Sequence, residues 1–160
     1  MTYRKILVAL DLSPFADSVF VRAGAIAQSQ GAELVLLHCS PLPELYNANS
    51  LNYLDGTPNW TIDLQLAEES QRRNAKEAEA LIRRFEQKAA ALDLKPSHAL
   101  RFDNPGRGIC QAIQELEVDL VVIGRRGLSR LNEFLLGSVS SYVVHHATCD
   151  VLVVQHQSST

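Results

Sequence analysis

The sequence predicts an α/β fold: one open five-stranded parallel sheet of order 3-2-1-4-5, with helices on both faces, Rossmann-like. Two observations carry that prediction. Apolar runs of strand length recur along the 160-residue chain, and stretches of helical period separate them. Strands buried on both faces read as continuous apolar runs rather than as alternating ones. Strands alternating with helices imply a parallel sheet, and right-handed crossovers leave few strand orders.

The first run, Ile6 to Leu10, ends at Asp11. Ser13 suits a helix N-cap and Pro14 the first helical position, so the first helix is expected to open there. Ala16, Val19, Phe20, Ala23, Ile26 and Ala27 recur at helical spacing, and Gly31 is placed to end that helix. Glu33 to His38 reads as the second strand. Residues 41–62 hold Pro, Asn, Tyr, Gly and the single Trp60 without a period. They are expected to form a long mobile loop, either a functional lid or interface or a surface insertion. Leu66 to about Leu92 reads as a long helix with a buried stripe of Ala78, Leu81, Ile82, Phe85, Ala89 and Leu92. Arg72, Arg73, Arg83 and Arg84 fall on its solvated side. Pro96 to Arg101 is the third strand, and Asp103-Asn104-Pro105-Gly106 turns into a helix carrying Ile109, Ala112, Ile113 and Leu116. Asp119 to Gly124 contains the fourth strand, a short helix is expected from about Ser138 to His146, and Asp150 to Gln155 contains the fifth strand. Residues 156–160 read as a frayed tail.

Composition narrows the function. The chain is 46% hydrophobic and 21% charged, with 15 basic and 18 acidic side chains and a net charge of −3. That balance fits one ordinary globular domain spanning 1–160 and argues against a broad nucleic-acid or membrane-binding face. Cys39, Cys110 and Cys149 form no CxxC pair, so neither a zinc ribbon nor a dithiol redox motif is suggested. Reduced thiols that act as small buried apolar groups in a cytoplasmic protein are the simplest reading. No leader pattern precedes the first strand, and no apolar run approaches the ~20 residues of a membrane span.

The chemistry concentrates between Gly124 and Ser140. Gly124 and Gly127 follow a buried strand, where glycine lets the backbone turn with positive φ and approach a ligand. Gly137-Ser138 opens a helix. The N–H groups of Gly137, Ser138, Val139 and Ser140 would face an anion at the positive end of the helix dipole, with the two serine hydroxyls as further donors. The bland alternative is a structural turn. GxxxxGK[ST] is absent, and Gln111 stands at the third glycine of a GxGxxG pattern after Gly106 and Gly108. No acidic residue closes the second strand at His38-Cys39-Ser40, so a nicotinamide dinucleotide is not expected. Asp11 is either a ligand contact or a brace for the turn at Ser13. Arg125, Arg126 and Arg130 are either phosphate clamps or solvated cations. His145 and His146 end a helix, where the dipole favours cations.

These residues resemble the universal stress protein family. The family pattern G-x2-G-x9-G-[ST] is matched by Gly124, Gly127, Gly137 and Ser138, and ILVALDLS, AELVLLHC, VDLVVIGRRG and DVLVV are similar too. The resemblance covers the chain apart from 41–62, and points to the family's ATP-binding branch. It implies that Asp11 meets ribose or adenine polar groups, with Ala9 and Leu10 lining the adjacent wall. It implies further that the backbone at Cys39 faces adenine and that Ile123 and Gly124 pack on the nucleoside. Gly127, Gly137, Ser138, Val139 and Ser140 would hold the phosphates. Asp103-Asn104-Pro105 departs from the family's glycine-containing turn, and Asp150 from a frequent proline.

The expected function is therefore an adenine-nucleotide-binding stress-response regulator. ATP is the leading ligand, with Mg2+ on its phosphates and no dedicated carboxylate cage. No catalytic residue is assigned; a slow ATPase of the same fold is the alternative, with Glu133 or Asp11 orienting water. Val151-Leu152-Val153-Val154, an edge strand without lysine or proline, is expected to pair with a second copy. The downstream signalling partner has no signature in the sequence.

Overall fold

The computed structural model describes residues 2–41, 53–54, 57–58, 60–125 and 136–155, with backbone alone before residue 65 in the middle segments. The elements in chain order are β1 (Lys5–Ala9), α1 (Ala16–Gln30), β2 (Glu33–Ser40), β3 (Tyr53–Leu54), β4 (Thr57–Pro58) and α2 (Trp60–Ala90). They continue as β5 (Ser97–Phe102), α3 (Pro105–Glu115), β6 (Leu120–Gly124), α4 (Ser138–His146) and β7 (Asp150–Val154). The main sheet runs β5-β2-β1-β6-β7 with every pairing parallel. Counting its strands alone, that is the expected 3-2-1-4-5 order.

Side-chain alternation along β1 divides the core. Ile6 and Val8 face one side, with Val19, Phe20, Ala23 and Ala27 of α1 and Leu81, Ile82, Phe85 and Ala89 of α2. Leu7 faces the other, with Ile109, Ala112 and Ile113 of α3 and Val143 of α4. Two faces covered by helices explain why the strands read as unbroken apolar runs. Asp119 sets the start of the central strand: its carboxylate accepts the N–H groups of Arg4 (2.8 Å) and Lys5 (2.9 Å). Those two bonds hold the carboxyl below its usual range.

Several boundaries differ from the sequence reading. The first helix opens at Ala16, with Phe15 at the N-cap and no side-chain cap. Ser13 instead donates both its N–H and its hydroxyl to Asp11, so its side chain serves the strand end rather than capping the helix. The long helix begins at Trp60, six residues before the expected Leu66, and β3 and β4 pair antiparallel within 41–62. The rest of that segment and the expected tail lie outside the described residues. Gly31 ends α1 at φ 64°, as expected. Asn104 caps α3 by accepting from Gly106 and Arg107 N–H, with Pro105 in the first turn.

Candidate functional site

The strand order reverses at β1, which β2 and β6 flank, so a crevice opens beyond the carboxyl ends of these three strands. A cleft of about 160 Å³ occupies it. Its walls hold Ala9 at the end of β1, Leu10 and Asp11 after it, Cys39 of β2, Ile123 and Gly124 of β6, and Val139 and Ser140 of α4. Eight sequence-predicted residues thus converge on one space.

Gly137 and Ser138 are not among the residues lining the cleft. Gly127 lies outside the described residues, as do Arg126, Arg130 and Glu133.

The remaining walls were not anticipated. Phe15 is the N-cap of α1 and Val19 lies within it, Leu37 comes from β2, and Pro105 and Ile109 from α3. Val19 and Ile109 had already been read as apolar faces of their helices; nothing local marks which end of such a stripe borders a crevice.

Asp11 is held from within its own turn. Its Oδ1 accepts the Ser13 N–H at 3.1 Å and the Ser13 hydroxyl at 2.5 Å. Behind it, Leu10 donates its N–H to the Leu37 carbonyl at 2.8 Å, and its own carbonyl accepts from His38 Nδ1 at 2.7 Å. That carbonyl can only accept, so the ring proton sits on Nδ1 and Nε2 accepts the Ser40 hydroxyl at 3.0 Å.

The glycine-rich segment differs from expectation in three ways. Gly124 has no positive φ. What it supplies is space: a Cβ there would sit 3.2 Å from the Phe15 ring and 3.3 Å from Val19 Cγ2. The Gly137 N–H donates to the Arg125 carbonyl at 3.0 Å, so it is already engaged. The Ser140 hydroxyl is buried and donates to the Gly124 carbonyl at 2.6 Å, with the Arg125 carbonyl at 3.1 Å. It ties α4 to the end of β6 and leaves the set of anion donors. The N–H groups of Ser138, Val139 and Ser140 stay in the first turn of α4, where a helix offers no internal acceptors.

Among the described residues of the cleft wall, the titratable side chains are Asp11 and Cys39. Burial pushes the Cys39 thiol up to about 12, so it is neutral at physiological pH. Cys110 and Cys149 are likewise raised by burial, Cys149 to about 11. All three thiols are free. His145 and His146 each direct Nδ1 at the carbonyl four residues earlier, at 2.7 and 2.8 Å, which fits a structural role at the end of α4.

Fold and cleft together define an open doubly wound α/β protein with a crevice at its topological switch point. The universal stress protein family profile matches residues 2–155, and the protein belongs to that family. Universal stress protein Sll1388 of Synechocystis is 34% identical over 164 residues, covering 98% of this chain and 100% of the relative. Among solved structures, universal stress protein UspA from Lactobacillus plantarum is 29% identical, with a TM-score of 0.77 over 96% of this chain and 99% of that one. An Arabidopsis thaliana family protein with AMP bound shares the fold at 18% identity and a TM-score of 0.65, over 97% and 93% of the two chains.

Proposed function

We propose that the protein is a cytoplasmic regulator that binds an adenine nucleotide, ATP foremost, in this cleft, and that it works as a homodimer without catalysing a reaction. The supporting observation is the cleft's chemistry. Its interior is largely apolar, Asp11 is the acidic side chain among its described residues, and a helix N-terminus stands at its rim. An apolar slot suits a purine ring, and first-turn amides suit phosphate. A carboxylate repels phosphate, so Asp11 belongs at the sugar, where it accepts hydroxyl protons. Magnesium enters with the phosphates rather than through a protein cage. About 160 Å³ is below the ~300 Å³ of whole-ligand pockets, which fits the base and leaves the phosphates outside the narrow part. Universal stress proteins sharing this fold have been determined in complex with cAMP and dAMP as well as AMP, which favours adenine as the common element.

The proposed dimer uses β7, an edge strand whose Val151, Leu152 and Val153 remain half-buried. No helix among the described residues is long and apolar enough to cross a membrane. The test is isothermal titration with ATP and magnesium, alongside sedimentation of the same sample. Saturable heat at one site per chain, absent with GTP and without phosphate release over hours, is expected. No heat with any adenine nucleotide would sink the reading, and sustained phosphate release would move it to the ATPase alternative.

A further inference from the structure

His38 is 5% exposed, and both its ring nitrogens are engaged. A polar ring buried on an inner strand of the sheet costs stability unless it is fully satisfied. Its neighbours on β2, Leu36 and Leu37, are wholly buried, so an apolar residue would fill the position at less risk. What the histidine supplies is a side-chain donor to a backbone carbonyl at a strand end. The β1 ladder ends at Ala9, paired with Leu37, and Leu10 is the next residue. Leu10 is then gripped at both polar groups, its N–H by the Leu37 carbonyl and its carbonyl by His38 Nδ1. The same peptide plane carries the Asp11 N–H, so fixing the Leu10 carbonyl fixes where Asp11 begins. Ser13 then fixes the carboxylate. Ser40, buried at 6% exposure, completes the chain by donating to Nε2, which keeps the proton on Nδ1.

We infer that His38 is a positioning residue for nucleotide recognition, setting through the Leu10 carbonyl the place from which Asp11 reads the sugar hydroxyls. The inference rests on the nucleotide reading above. His38 touches no ligand; it makes the site selective for a ligand with its ribose hydroxyls intact. The donor matters at the Nδ1 position, so asparagine is the conservative replacement and leucine the disruptive one.

The experiment measures dissociation constants for ATP and for 2′,3′-dideoxy-ATP in the wild type, His38→Asn, His38→Leu and Ser40→Ala. Folding is checked by circular dichroism. A hydrogen bond to a charged group predicts that the wild type prefers ATP by about tenfold to a hundredfold. His38→Leu should lose that preference by weakening ATP alone, leaving dideoxy-ATP within about twofold. His38→Asn should keep most of it, and Ser40→Ala should lose part. Equal weakening of both nucleotides, or an unchanged preference in His38→Leu, overturns the positioning role while nucleotide binding stands. Should His38→Leu fail to fold, Ser40→Ala decides: a reduced preference supports the inference and an unchanged one overturns it. A wild type that binds neither nucleotide overturns both readings.

Discussion

Replacing Gly106 with alanine places a methyl group where α3 and α4 meet. The new Cβ would lie 2.9, 3.0 and 3.1 Å from Cδ1, Cγ and Cβ of Tyr142. The ring cannot swing aside freely, because it stacks on His146 with centroids 4.0 Å apart. The Tyr142 Cβ moves only with its helix, so relief requires the helices to separate. Overpacking of this kind costs about 1–3 kcal/mol. Alanine gains up to ~1 kcal/mol in helix propensity, and less in a first turn, so the clash decides the sign. A net loss of about 1–2 kcal/mol is expected, or roughly 2–8 °C in Tm for a chain of this size. The assay is urea unfolding of wild type, Gly106→Ala, Tyr142→Ala and the double variant. With the ring gone the two closest contacts disappear and only the Cβ at 3.1 Å remains, so Gly106→Ala should cost clearly less in the Tyr142→Ala background. Contacting residues couple in this way, whereas independent sites add. The same change in both backgrounds would refute the reasoning. Pro105 and Ile109 of α3 and Val139 and Ser140 of α4 line the same cleft, so nucleotide affinity should fall with the single change and recover in part in the double.

Other consequences are open to measurement. Asp11→Asn keeps an oxygen for the Ser13 bonds but removes the charge, so stability should hold while ATP weakens by about tenfold to a hundredfold; equal affinity would remove Asp11 from the site. Phe85, fully buried with its ring centroid 5.1 Å from that of Phe20, should cost about 3–5 kcal/mol as alanine; calorimetry showing less than ~1 kcal/mol would mean the face is loosely packed. For Cys39 the folded thiol ionises near 12 against 9.0 ordinarily, so its contribution is whole below pH 9 and fades as pH climbs towards 12. Cys39→Ala should flatten the fall in urea midpoint between pH 9 and 11, and a parallel curve would contradict the burial argument.

β1, β2 and β6 were legible because each is buried on both faces, which leaves an apolar run and little room for another reading, whereas β3 and β4 fall where a loop was expected. Gly31 was legible because a left-handed helix terminus selects few residue types. Other helix ends carried no such mark. Asp93 and Glu117 take positive φ beyond α2 and α3, where glycine is the usual signal. The start of α1 misled because Ser13-Pro14 is a fair cap in isolation. Asp11 outcompetes the helix for the Ser13 hydroxyl, and a local rule does not see an acceptor two residues upstream.

The site shows the same division between what a residue is and why it is there. Spacing located the cleft wall at Gly124 and Ser140, but assigned both to the ligand. Gly124 is instead where the Phe15 ring and Val19 of α1 lean against the end of β6, a contact between segments over a hundred residues apart. Ser140 spends its hydroxyl on the carbonyls of that same strand end. Arg125 gathers the rest: its N–H donates to Val154 and its carbonyl accepts from Gly137, so β6, β7 and α4 are joined at one residue. A glycine-rich motif therefore carries two demands at once, close packing that holds the helix start against the sheet and first-turn amides that stay at the cleft. Gly124→Ala separates them. If packing is the stronger demand, stability falls by about 1–3 kcal/mol whether or not nucleotide is present. If approach to a ligand is the stronger, stability of the free protein holds and only affinity drops, which thermal unfolding with and without ATP distinguishes.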